Sequence, residues 1–144
     1  MKKFILIALM GLLAFITPSA VNAQNATLIS LAAGDTLAQA ASSDTVSKVI
    51  KVTSPASSFA IQVVQTKLSG TGSGKVYLYG SLDGTNYVLT DSSSAFTDQT
   101  TNVAQFTKTP APFTYYKVQA RPMGAATGTQ SAIVRVYYVI RKYN

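Results

Sequence analysis

The chain has 144 residues, a length suited to one domain, and carries 12 Lys and Arg against 5 acids for a net charge of +7. It contains no His, no Cys and no Glu. The usual proton shuttle, thiol nucleophile, metal ligands and disulfide staples are therefore missing, and a Ser–His–Asp arrangement is impossible.

Met1-Lys2-Lys3, an apolar run from Phe4 to Ile16 and small residues up to Ala23 have the layout of a secretory signal peptide cleaved after Ala23. The run is short for a membrane span. Residues 24–144 are thus expected to be exported (extracellular, periplasmic or virion-associated), with membrane contact only through an uncleaved leader. Loss of Lys2 and Lys3 with the leader lowers the net charge from +7 to +5. The remaining basic residues are scattered, with no tract of five or six, so nucleic acid is not an expected partner.

Residues 24–45 form an Ala-rich N-terminal arm. A short strand is predicted over Thr27 to Leu31, followed by a turn at Gly34-Asp35. Thr36 to Ala41 reads equally as a helical turn or a loop. Residues 46–144 are the predicted β-sandwich domain. Val46 to Thr53 is a strand stopped by Ser54-Pro55, and Phe59 to Thr66 alternates with Phe59, Ile61 and Val63 on one face. The run Ser69 to Gly74 lacks the ending of a phosphate loop and reads as a flexible connection.

Lys75 to Ser81 sends Val76 and Leu78 one way and Tyr77 and Tyr79 the other. Asp83-Gly84 predicts a hairpin turn, because Gly supplies positive φ without steric cost, and Tyr87 to Thr90 returns. A short strand over Val103 to Thr107 and a further strand over Phe113 to Ala120 follow. A turn at Gly124 to Gly128 leads into the longest strand, Ser131 to Lys142. One side of that strand, Ala132 to Ile140 in alternate positions, is apolar; the other is mixed. Half-covered strands without helical periodicity predict an all-β, single antiparallel sandwich of about seven or eight strands, jelly-roll or immunoglobulin-like.

The remaining carboxylates are Asp35, Asp44, Asp83, Asp91 and Asp98. A glycosidase needs a matched carboxylate pair, whereas Asp83 is accounted for by its turn and the others sit in Ser/Thr-rich stretches. No catalytic, cofactor or metal residue is assigned, and the protein is expected not to be an enzyme. Convergence of Asp83, Asp91 and Asp98 at one end of the sandwich is the arrangement a calcium site would require.

The stronger lead is an outward aromatic and basic surface. If the strands holding Lys75, Tyr115 to Lys117 and Ser131 to Lys142 share a sheet, its outer face carries Lys75, Tyr77, Tyr79, Tyr115, Lys117, Arg135, Tyr137 and Arg141. Tyr combines flat apolar area with a polar tip, useful against a sugar or another protein.

The segment Lys75 to Tyr87, with Gly80-Ser81-Leu82-Asp83-Gly84-Thr85-Asn86-Tyr87 at its centre, resembles hairpins of two groups. In discoidin-like (F5/8 type C) modules the likeness covers the hairpin alone. In small β-sandwich proteins of tailed-bacteriophage virions it continues through Tyr115-Tyr116-Lys117-Val118 and Arg135-Val136-Tyr137-Tyr138-Val139, about half the chain. The virion resemblance implies a structural protein acting by protein–protein interaction, adhesion and self-assembly through sheet faces and strand edges. The alternative is a secreted module binding a glycan or an anionic envelope polymer.

Overall fold

The computed structural model describes residues 26–29, 34–38, 44–52, 56–71, 73–123 and 131–142. The proposed leader, residues 1–23, the turn over 124–128 and the stop at Ser54-Pro55 lie outside them. No helix among the described residues is long and apolar enough to cross a membrane.

Nine strands form among the described residues: β1 Thr27–Leu28, β2 Asp35–Ala38, β3 Val46–Lys51, β4 Ala56–Ser69, β5 Lys75–Ser81, β6 Val88–Ser92, β7 Thr101–Lys108, β8 Tyr115–Arg121 and β9 Ser131–Lys142. They make two antiparallel sheets, a β-sandwich. One follows β1-β9-β4-β7, with β2 also paired to β9; the other follows β3-β8-β5-β6. That is at least one more than the seven or eight expected, and the strand with no counterpart among the predicted ones is β2. Its Leu37 is fully buried, so packing decides a stretch whose composition left helix and loop open.

The two sheets bury what period-two alternation sets aside for them. Phe59, Ile61 and Val63 of β4 and Val134 and Val136 of β9 face Val76 and Leu78 of β5 and Tyr116 and Val118 of β8. Tyr116 anchors this core. Its ring stacks on Phe59 at 4.3 Å and meets Phe113 edge-on at 5.9 Å, and its hydroxyl accepts the Phe113 N–H at 3.4 Å. At one end of the core, buried Gln65 donates to the Ser73 carbonyl.

Charged staples tie the sheets together at both flanks. Lys48 on β3 reaches Asp35 on β2 at 3.0 Å, and Lys108 on β7 reaches Asp91 on β6 at 2.8 Å. A third pair, Lys67–Asp98, pins the β6–β7 connection to β4 at 2.8 Å.

Candidate functional site

The outer face of the four-stranded sheet is built by alternation along β3, β5 and β8. Because Tyr116, Val118 and Ala120 enter the core, their neighbours Tyr115, Lys117, Gln119 and Arg121 point outward. On β5 the same rule buries Val76 and Leu78 and turns out Lys75, Tyr77 and Tyr79. On β3, Val49 and Lys51 are exposed beside buried Ile50.

Strand register sets these side chains in rows. Val49 pairs with Lys117, Lys117 with Tyr79 and Tyr79 with Leu89, a row crossing all four strands. Lys51 pairs with Tyr115 at one end, and Lys75 with Arg121 at the other. Each cation settles over a ring: Lys117 Nζ lies 4.2 Å from the Tyr87 centroid and 5.1 Å from that of Tyr79. Lys51 sits over Tyr115 at 5.6 Å. Lys75 and Arg121 share Tyr77 at 5.5 and 5.4 Å. Exposed contacts of this kind contribute about 0.5–1 kcal/mol each.

The carboxylates are committed elsewhere. Asp35, Asp91 and Asp98 belong to the three ion pairs, and Asp44 accepts the backbone N–H groups of Ala38 and Thr45. Asp83 sits in the β5–β6 connection, where its Oδ1 accepts from the Thr85 and Asn86 N–H groups and the Ser81 hydroxyl. Those donors, the Asn86 and Thr85 N–H groups foremost, hold its carboxyl far below the usual range. The Lys108 hydrogen bond likewise lowers Asp91. Among the described residues the four cations Lys51, Lys75, Lys117 and Arg121 have no carboxylate within ion-pair distance.

The hairpin is wider than a two-residue Asp-Gly turn. Gly84 takes φ +77° as anticipated, but no described residue other than Gly has positive φ, so Asp83 works through its side chain, in the manner of an Asx turn. The wider connection carries Tyr87 to the Lys117 ammonium. Gly84 lies against the Tyr115 ring, and Gly80 against Phe113. Gly80, Ser81, Asp83, Gly84 and Tyr87 thus each have a local task.

Of the predicted surface residues, Lys75, Tyr77, Tyr79, Tyr115 and Lys117 share this face. Arg135, Tyr137 and Arg141 do not: β9 belongs to the five-stranded sheet, where Arg135 pairs with Val64 and Tyr137 with Gln62 on β4. The premise of one shared sheet is corrected by the strand order. Lys51, Tyr87 and Arg121 were missed. Lys51 and Arg121 were legible as strand-end cations of outward parity; Tyr87 was legible only as the last residue of the hairpin motif.

Asp83, Asp91 and Asp98 have separate partners, and no group of three metal-ligating side chains occurs among the described residues. An open depression of about 590 Å³ beside β7 is lined by Ser93, Phe96, Gln99, Asn102 and neighbours, none of them ionisable. No family model matches the chain, and neither does any curated protein.

Proposed function

We propose that this chain is an exported, non-enzymatic adhesion and assembly protein, a structural β-sandwich of the virion-associated kind, that attaches to its partner through the outer face of the four-stranded sheet. The observation that carries the reading is the mosaic of Lys51, Lys75, Lys117 and Arg121 set over Tyr77, Tyr79, Tyr87 and Tyr115. Such a face is held in place before contact, so less side-chain entropy is lost on binding. Tyr and Arg are also the side chains that most often dominate interfaces. Exposed Val49 and Leu89 flank the central row and add apolar area to it.

Density-gradient fractionation of the producing culture tests this. Wild-type chain is expected to sediment with particles, fibres or envelope, and a Lys117→Gln/Tyr79→Ala variant to stay at the top. A folded variant, judged by circular dichroism, that sediments as the wild type does would overturn the reading.

A further inference from the structure

Resting on that reading, we infer that the partner is an acidic polysaccharide, a linear glycan bearing carboxylate or sulfate groups, laid along the β8 direction. Three rows of positive charge lie on this line. Lys51 is level with Tyr115, Lys117 is two residues further along β8, and Lys75 pairs with Arg121 four residues beyond that. At the ordinary strand rise the first row is about 7 Å from the second and about 20 Å from the third. A compact ligand cannot meet all three rows, whereas an extended repeating polyanion can.

Two features favour a glycan over a nucleic acid. Single-stranded nucleic acid is held by bases stacked on open aromatic faces. Here each of Tyr77, Tyr79, Tyr87 and Tyr115 already has an ammonium or guanidinium over its ring, so a base stacking on that face would have to displace the cation. The side chains between the charges are hydrogen-bonding ones. Gln119 Oε1 accepts from Arg121 Nε at 3.1 Å, and an Arg121 guanidinium nitrogen stands 3.5 Å from the Tyr79 hydroxyl. Neutral hydroxylated units between acidic groups suit that alternation. With no carboxylate on the outward positions, no native anion has to be displaced first.

The test is biolayer interferometry of the purified chain on four immobilised probes: alginate, heparin, neutral dextran and single-stranded oligothymidine. Binding is expected to alginate and heparin, with none to dextran and weaker binding to oligothymidine. It is expected to vanish between about 0.1 M and about 1 M salt, as the screening length contracts from about 10 Å to about 3 Å. Lys117→Gln should lower alginate affinity about tenfold, the loss of one charge-assisted contact. Arg141→Gln, which removes the same charge from β9, should change it less than about twofold. Equal binding to dextran, tighter binding to oligothymidine, or an unaffected Lys117→Gln each overturns the inference. If the chain ignores all four probes while the face variant still leaves the particle fraction, the glycan inference falls and the face remains the attachment surface. If the face variant also sediments normally, the attachment reading falls with it.

Discussion

Gly80 stands in the middle of a signature that looks like turn chemistry, yet its backbone is ordinary strand and its constraint is steric. A Cβ built at Gly80 would fall within 2.6 Å of Phe113 Cγ and Cε2 and closer still to Cδ2. The ring must therefore move in Gly80→Ala. Moving it gives up the edge-on contact with Tyr116, about 0.5–1.5 kcal/mol beyond area burial, and part of the ring's apolar cover on the core. Overpacking of this kind costs about 1–3 kcal/mol. Ala in a strand offsets about 0.5–1 kcal/mol of that through the unfolded chain. The net expectation is a loss of about 1–2 kcal/mol, with the midpoint of urea unfolding lowered and its slope unchanged. The decisive arm is the double-mutant cycle. With Phe113→Ala already present the clash is gone, and Gly80→Ala should become neutral or stabilise by up to about 1 kcal/mol. An equal loss in both backgrounds would refute the steric account of Gly80.

Two further expectations follow from the same packing and charge arrangement. Tyr116→Phe gives up only the long hydrogen bond from Phe113 and should cost less than about 1 kcal/mol, whereas Tyr116→Ala empties the stack on Phe59 and should cost about 3–5 kcal/mol; similar losses in urea titrations would contradict that division. Asp83 and Asp91 are both held below their ordinary value in the fold, so the stability they contribute is complete above the usual carboxylate range and drains away as pH falls below it. Lys108→Met should flatten that acid-side decline by removing the ammonium hydrogen bond that holds Asp91 down, and a fold that gains stability on acidification would exclude this linkage.

Much of the architecture was legible because alternation is a local signal. Val76 and Leu78 against Tyr77 and Tyr79, or Val134 and Val136 against Arg135 and Tyr137, declare which side of a strand is dry. Sheet membership is not local. β5, β8 and β9 all alternate aliphatic with Tyr, Lys or Arg, so their outer faces look alike in sequence. Only long-range pairing sends β9 to β4 and leaves β5 with β8. That is why Arg135, Tyr137 and Arg141 were grouped with the wrong surface. Lys51 escaped notice because β3 becomes part of the face only by pairing with β8, 64 residues later at the Lys51–Tyr115 register. Tyr87 escaped because it was expected to open the returning strand, whereas β6 starts at Val88 and Tyr87 reaches the face from the Asp83-centred connection.

The position of β9 has a consequence for the order in which the molecule can come together. This strand separates β4 from β1 and β2, yet it is synthesised after the other eight described strands. While the chain emerges from its N-terminal end, β1 and β2 have nothing to pair with, and β4 holds only β7. Val134 and Val136 are still missing from the space between the sheets. The hairpin of β5 and β6, joined by β8, can form early; the opposite layer cannot close until residues 131–142 arrive. Until then β4 with β7 on one side, and β1 with β2 on the other, are two separate fragments of one sheet, and β9 is the strand that joins them.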